Sequence, residues 1–369
     1  MSTTLTATTI TVGLKSNPYR IYIGNNLLKK ISTHIAKLKL GNFGIVITSP
    51  KIYSIYQKQI IKNFGPNKYK IIKVADGEAA KSKKWLFRVL DEIARCDNYK
   101  LSPFIICLGG GTVGDLGGFV AAIYKRGIPY IQIPTTLLAQ IDSSIGGKTA
   151  IDMPHAKNII GSFYQPKAVF IDPCFLATLP LAYFKEGLSE IVKYGVIKDA
   201  EFFRFLKVNH SKILKRDSVS IFKIVSVCAR IKAQIVEKDE KETKGLRTVL
   251  NFGHTFAHAL ESALKYQKIS HGEAVSLGMI YAGKLSLLLG KCNKTSFFEL
   301  LDILRLFGLP IGIKFDPARI YRSLVHDKKF ISGKIRMVLL KKIGKVEVVD
   351  SISPLDIKRA FKVFYPASH

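Results

Sequence analysis

The chain is short of cysteine pairs, of acids and of long apolar runs, and each shortage closes off a class of protein. Its five cysteines, Cys96, Cys107, Cys174, Cys228 and Cys292, are scattered, with no CxxC pair. An odd, dispersed set makes neither a disulfide framework nor a cysteine zinc site. Any metal must therefore be held by histidine and carboxylate, and the expected location is the cytoplasm. The longest apolar stretches, at 104–114 and 127–140, fall short of the roughly 18 residues of a membrane span. The opening MSTTLTATTI has no basic region followed by an apolar core, so no secretory signal is expected. Only 27 acids face 57 lysines and arginines, a formal charge of +30. That surplus would suit nucleic acid. The lysines, however, are spread along the whole chain among Ile and Leu, without RGG tracts or zinc-finger spacing, and no dedicated nucleic-acid role is expected. An anionic substrate would benefit from the same field.

What is present is a long globular sequence. Single cores stop growing near roughly 250–300 residues, so 369 residues predict two domains. In the first half, short apolar runs at 44–48, 71–74, 104–108, 130–133 and 168–171 read as buried strands, each followed by Gly, Pro, Asp or Ser. Their alternation with helical patterns predicts βα units on a largely parallel sheet. After about Pro180 the period becomes 3.6, predicting helices over 183–198, 219–238, 252–264, 272–289 and 296–306. A late strand pair, 335–340 and 346–349, is linked by Lys-Ile-Gly-Lys, as in a hairpin. The domain boundary is placed at residue 180.

Gly109, Gly111 and Gly114 fit G-x-G-x-x-G between a strand and a helix, where bare N–H groups and the helix dipole suit a pyrophosphate. The acid usually found about 20 residues later is missing, so a plain tight turn remains an alternative. The segment from Pro134 to Thr149 concentrates hydroxyls, Asp142 and Lys148 in otherwise apolar sequence. Its Gly-Gly-Lys-Thr matches only the end of a P-loop. The opening glycine of that motif is Asp142 here, which excludes a P-loop nucleotidase.

His254 and His258 lie at i and i+4 in NFGHTFAHALE, one helix face apart by a single turn, as two metal ligands require. His271 follows soon after, in His271-Gly272-Glu273. Glu190, in an otherwise apolar helix, is the candidate for a further ligand. The bland alternative is that some of these are hydrogen-bonded core histidines. The remaining histidines, His34, His155, His210, His326 and His369, lack such partners and are not expected to be ligands.

Taken together, these residues resemble the 3-dehydroquinate synthase family. The match runs through GGGTVGDLGGFVAAIYKRGIPYIQIPTTLLAQIDSSIGGKTAIDMPHAKNIIGSFYQP, the helix at 190–193, Arg247 with NFGHTFAHALE, HGEAVSLGM, and Asp327-Lys328-Lys329. The resemblance implies an α/β N-terminal domain with a Rossmann-like parallel sheet binding NAD (1–180). It implies a mainly α-helical C-terminal domain binding metal and substrate (181–369), with the active site in the cleft between them. Glu190, His254 and His271 would bind Zn²⁺ or Co²⁺. His258 would face substrate phosphate with Lys148, Asn158 and Asn251. Arg126 would reach the neighbouring subunit's site, which implies a homodimer. Lys232 and Arg247 would hold the substrate carboxylate, with Asp142 and Lys193 near its hydroxyls. Ser49, Asp76, Glu78, Lys81, Gly110, Gly111, Thr112, Asp115, Thr135, Thr136, Lys148 and Lys157 would contact NAD. At Ser49 the family usually has Asp or Asn, so the reach to a ribose hydroxyl is shorter. Other departures are Glu186 before Gly187, Ala257 in place of a glycine, and an apparent extra residue near Lys244.

The implied reaction turns 3-deoxy-arabino-heptulosonate 7-phosphate into 3-dehydroquinate and phosphate. It proceeds by transient NAD oxidation, β-elimination, re-reduction and an intramolecular aldol, and it serves aromatic amino acid biosynthesis. Two enzyme rivals remain: a glycerol-type metal-dependent alcohol dehydrogenase, and a cyclase whose sugar lacks the carboxylate. A third rival, an RNA-binding protein, lacks the interleaved aromatics it would need. Arg247 also has a bland reading, as a partner of Asp239 or Glu242.

Overall fold

The computed structural model describes residues 7–361, apart from 99, 155, 265–268, 314–315, 326–329 and 332–333. Nine strands precede residue 180: β1 (Thr8–Val12), β2 (Tyr19–Ile23), β3 (Phe43–Thr48), β4 (Tyr69–Lys73), β5 (Pro103–Gly109), β6 (Tyr130–Pro134), β7 (Lys148–Met153), β8 (Ala156–Phe163) and β9 (Ala168–Ile171). Four helices lie among them: α1 (Ile31–Lys37), α2 (Pro50–Asn63), α3 (Lys83–Cys96) and α4 (Gly111–Ile123). Then come α5 (Leu181–Lys198), α6 (Ala200–Leu214), α7 (Ser218–Lys238), α8 (His254–Ala263), α9 (His271–Leu288), α10 (Lys294–Leu306) and α11 (Pro317–Val325). The last elements are β10 (Phe330–Ile331), β11 (Lys334–Lys342), β12 (Lys345–Ile352) and α12 (Pro354–Phe361).

The chain forms two compact units. One comprises the residues up to Pro180 together with Ile221–Lys241; the other comprises Leu181–Ser220 and the chain from Glu242 onward. The segment Ile221–Lys241 thus packs with the first unit, whereas the sequence reading kept everything after 180 together.

The first unit is built on a seven-stranded sheet of order β1-β2-β9-β6-β5-β3-β4. Only the β1–β2 pair is antiparallel. Both faces are covered, which is why the strands read as continuous apolar runs. Ile45, Ile47, Ile105 and Cys107 point to one side, against Val89 and Ile93 of α3 and Val113, Leu116 and Val120 of α4. Val46, Phe104, Ile106 and Leu108 point to the other, against Ile31 and Ile35 of α1 and Ile60 of α2. The α/β expectation therefore holds. Strands β7 and β8 form a separate antiparallel hairpin that the sequence reading did not contain.

The second unit is mainly helical. Helix α9 is apolar on nearly every side and packs against α5, α8, α10, α12 and β11. The late hairpin is present as β11–β12, with β10 alongside. Among the described residues no helix is long and apolar enough to cross a membrane.

Candidate metal centre and nucleotide-binding edge

In the first unit, β4, β3, β5 and β6 are adjacent and parallel, so their carboxyl ends lie along one sheet edge. The chain leaves β3 toward β4 and returns on the other side of β3 as β5. That reversal opens a crevice between neighbouring loops, the usual ligand position in open α/β sheets. The loops at this edge carry Thr48-Ser49, Asp76, Gly110-Gly111 and Thr135-Thr136. Four sites remote in sequence thus become neighbours through strand order alone.

Gly110 caps α4 and Gly111 opens it. A side chain at Gly111 would come within 2.8 Å of the Ser143 hydroxyl, so the loop lies flat against that residue. The hydroxyls of Ser143 and Thr135 are buried with no hydrogen-bond partner among the described residues. A helix start, a surface that a Cβ would fill and unsatisfied buried hydroxyls together suit a dinucleotide phosphate. Ser143 was not among the expected site residues. The Ser49 hydroxyl accepts from the Ile52 N–H at 3.4 Å and caps α2.

Lys81 gathers the acids of this unit. Its ammonium donates to Asp115 Oδ2 at 2.8 Å and to Asn158 Oδ1, and it lies 3.9 Å from Glu78 and 4.0 Å from Asp152. Lys157 reaches Glu78 at 3.6 Å. Burial, against the pull of Lys81, raises the Asp115 carboxyl to about 6. Asp152, unnoticed in the sequence, accepts the Asn158 N–H at 2.7 Å and so holds Asn158 in a left-handed conformation (φ 54°). Asn158 is therefore placed with Lys81 and Asp115, near the hairpin tip. Lys148 stands at the hairpin base, paired with Phe163 in register. Of the residues expected to face phosphate, Lys148 and Asn158 belong to this unit and Asn251 and His258 to the second.

In the second unit the metal-ligating atoms of Glu190, His254 and His271 all lie within 4.8 Å of one another. Glu190 comes from the middle of α5, while His254 and His271 are the first residues of α8 and α9. Nε2 of His254 is 3.3 Å and Nε2 of His271 3.7 Å from Glu190 Oε1. Their Nδ1 atoms are held from behind, by the Phe252 carbonyl at 3.3 Å and by Glu261 at 3.2 Å. Such outer partners fix ring orientation and leave Nε2 for the ion. Glu261 is a further site residue that sequence reasoning missed, although it stands within the quoted motif. His258 stacks edge-on against His254, with centroids 5.6 Å apart, and is not part of the set. The structure therefore separates two histidines whose spacing alone made them equivalent.

Both Glu190 oxygens are buried without a properly directed hydrogen bond. They face the two imidazoles and the Lys193 ammonium one turn along α5. Burial opposes ionisation of Glu190, but Lys193 and His254 overcome it and hold the carboxyl well below its ordinary range. Burial, reinforced by Lys193, lowers the His254 imidazole. Burial also disfavours charge on His271, yet the Glu190 and Glu261 carboxylates beside it prevail and raise it to about 10. A carboxylate and two imidazoles converging on one point fit a divalent cation of the zinc type.

The other expected residues are placed as follows. Lys232 is paired with Asp142 at 2.6 Å, both in the first unit. Arg247, 1% exposed, pairs through Nε with Glu242 at 3.3 Å, as its bland reading anticipated. Asp76 is exposed, Thr112 and Thr136 line the glycine loop half-buried, and Asn251 ends a short 3-10 turn before α8. Arg126 is exposed on a turn in which Lys125, Arg126 and Gly127 all have positive φ. Asp327, Lys328 and Lys329 lie outside the described residues, as do His155, His326 and His369.

A phosphate-loop α/β unit joined to a helical unit with a Glu-His-His cation set defines a class of metal- and dinucleotide-using enzymes. Residues 71–186 match the family described as 3-dehydroquinate synthase N-terminal, and residues 187–330 its C-terminal counterpart. The chain belongs to the 3-dehydroquinate synthase family. A 3-dehydroquinate synthase of Thermodesulfovibrio yellowstonii is 42% identical over 352 residues, covering 94% of this chain and 98% of its own. That of Dictyoglomus thermophilum is 43% identical over 352 residues, covering 95% and 97%. Among solved structures, 2-epi-5-epi-valiolone synthase from Streptomyces hygroscopicus subsp. jinggangensis, with NAD⁺ and Zn²⁺ bound, superposes with a TM-score of 0.85 at 26% identity, covering 95% of this chain and 98% of its own. A 2-deoxy-scyllo-inosose synthase complexed with carbaglucose-6-phosphate, NAD⁺ and Co²⁺ gives 0.83 at 25% identity, covering 97% and 100%. An iron-containing alcohol dehydrogenase shares the fold at 0.65 and 17% identity, covering 93% and 96%.

Proposed function

We propose that the chain is a 3-dehydroquinate synthase, a carbon–oxygen lyase that converts 3-deoxy-arabino-heptulosonate 7-phosphate into 3-dehydroquinate and phosphate. The observation that carries this reading is the convergence of Glu190, His254 and His271, in a chain kin over nearly its whole length to enzymes of that name. Glu190, His254 and His271 would hold Zn²⁺ or Co²⁺, and the edge at Gly110, Gly111, Thr135 and Ser143 would hold NAD. When bound, the cation polarises substrate oxygens and the dinucleotide accepts and returns a hydride.

The protein's own groups supply binding and proton handling. The Lys193 ammonium, 2% exposed, is fixed by Glu190 and donates to a substrate hydroxyl. Asp142 orients Lys232, which with Arg247 takes the carboxylate; the guanidinium offers two parallel donors. Lys148, Asn158, Asn251 and His258 take the phosphate, with Arg126 contributed by a partner subunit of a homodimer. The exposed Met153, Ile159, Ile160 and Phe163 of the β7–β8 hairpin support such pairing. The cysteines, none of which forms a disulfide among the described residues, support a cytoplasmic location.

The test is an assay of purified protein with NAD⁺, Zn²⁺ or Co²⁺ and the heptulosonate phosphate, following phosphate release and dehydroquinate. Turnover without NADH build-up, abolished by chelation, is expected. Stoichiometric NADH would move the chain to the dehydrogenase class; full activity without metal would remove the role of the Glu-His-His set.

A further inference from the structure

Helix α4 is followed by a turn of successive left-handed residues, which costs about 1–2 kcal/mol for each one that is not glycine. Lys125 (φ 48°) and Arg126 (φ 63°) are both left-handed, and Gly127 (φ 123°) follows. Two successive non-glycine residues in that region carry the steric penalty of a Cβ against the next carbonyl, so the surroundings must impose the conformation. Across it the backbone closes bonds from the Gly127 N–H to the Tyr124 carbonyl and from the Ile128 N–H to the Ala121 carbonyl, each at 2.9 Å.

Side-chain restraint on the residues before Arg126 comes from Asp97, just beyond α3. Its Oδ2 accepts from the Tyr124 hydroxyl at 2.6 Å and from the Lys125 ammonium at 2.6 Å. One carboxylate oxygen, on a side chain 7% exposed, thus grips the two residues that precede Arg126. Burial opposes the ionised form, but the bonds from Lys125 and Tyr124 win and lower the Asp97 carboxyl. On the far side the Tyr164 hydroxyl donates to the Ile128 carbonyl at 3.0 Å. Arg126 is thereby the exposed apex of a turn held at both ends.

We propose that Asp97 is a positioning residue for Arg126: through Tyr124 and Lys125 it holds the left-handed turn that presents the guanidinium to the substrate anion. This rests on the reading that Arg126 serves an active site. Asp97 touches neither substrate nor cofactor in that scheme. Its effect is exerted through the direction in which Arg126 leaves the turn, and a displacement of about 1 Å in such a group costs on the order of a hundredfold in rate.

The experiment is a double-mutant cycle on the full chain, read as kcat/KM for the heptulosonate phosphate, with bound metal, NAD affinity and Tm measured on each variant. Arg126→Ala is expected to lose at least a hundredfold. Asp97→Asn, which keeps the size and removes the charge, is expected to lose roughly tenfold to a hundredfold with unchanged metal and NAD binding. The double variant should be no worse than Arg126→Ala alone, because Asp97 then has nothing left to position. Adding Lys125→Gly to Asp97→Asn should recover part of the loss, since glycine enters the left-handed region without strain. Additive losses would make Asp97 a stability residue and overturn the proposal. Wild-type activity in Asp97→Asn beside a crippled Arg126→Ala would overturn the clamp alone. Wild-type activity in Arg126→Ala would overturn the reading beneath it.

Discussion

Gly272 sits one residue after a metal ligand, and replacing it with alanine should cost the protein its cation. A Cβ built there lies 2.4 Å from the Glu186 Cα, 2.7 Å from its carbonyl oxygen and 2.9 Å from its carbonyl carbon. All three are backbone atoms of α5, so no side chain can swing aside. Carbon contacts settle near roughly 3.5–4.0 Å, so the start of α9 must move about 1 Å from α5. His271 would travel with it, away from Glu190, across a gap that is now 3.7 Å. Ligand distances tolerate only about 0.2 Å of error. The overpacking itself costs about 1–3 kcal/mol. Gly272→Ala should therefore lower Zn²⁺ affinity at least a hundredfold and lose metal on dialysis, while the fold survives at reduced Tm. Gly312→Ala, with nothing within 4 Å of its Cβ, is the matched control. Elemental analysis after dialysis and calorimetric titration measure both. One equivalent of zinc at wild-type affinity in Gly272→Ala would refute the argument that this contact sets the ligand distance.

Other outcomes follow from the same geometry. Glu261→Gln should weaken metal binding about 10–100-fold, because His271 loses the carboxylate that orients it; unchanged affinity by titration would reduce Glu261 to a bystander. Metal loading at pH 8 should release close to one proton. His271 is protonated up to about 10, Glu190 is already ionised and His254 already neutral, so affinity should climb roughly tenfold per pH unit up to that point. Calorimetry in two buffers of different ionisation enthalpy counts the protons, and none or two would contradict the assignment. Lys232→Ala and Arg247→Ala should each lose about 2–5 kcal/mol of binding toward the heptulosonate phosphate and much less toward a heptulose phosphate without the carboxylate. Equal losses on both sugars would point to a cyclase of the other kind, and would leave Asp142 and Glu242 as the true partners of these cations.

The parallel core was legible because both of its faces are buried. A strand such as Ile105 to Leu108 must be apolar throughout, and a run of that kind stands out between polar turns. The hairpin β7–β8 was not legible for the opposite reason. Nearly every residue of β8 is exposed, so no alternation marks it. Its path is set by pairing with β7 and by Asp152, which bonds both to the Lys81 carbonyl and to Asn158. The placement of Ile221–Lys241 was also invisible. Amphipathic periodicity says that a helix buries one face, not which unit supplies the surface. Here the answer lies in single long-range contacts such as Lys232 to Asp142 and Gln165 to Glu240.

The metal set shows where sequence spacing runs out within a single motif. His254 and His258 share a helix face, and spacing assigns them the same chemistry. The chain distinguishes them by where α8 begins. His254 is the first helical residue, so Phe252, just outside the helix, is free to turn its carbonyl onto Nδ1 and send Nε2 toward Glu190. His258, a turn further in, has intrahelical carbonyls behind it and stacks on His254 instead. His271 likewise opens α9, with Ser270 and Glu273 closing a capping box around that start and Glu261 reaching back from α8 to its Nδ1. Both histidine ligands are thus first residues of helices, with the Phe252 carbonyl and Glu261 on Nδ1 leaving Nε2 turned toward Glu190, and the carboxylate ligand alone is taken from a helix interior, where Lys193 and His254 keep it ionised against its burial.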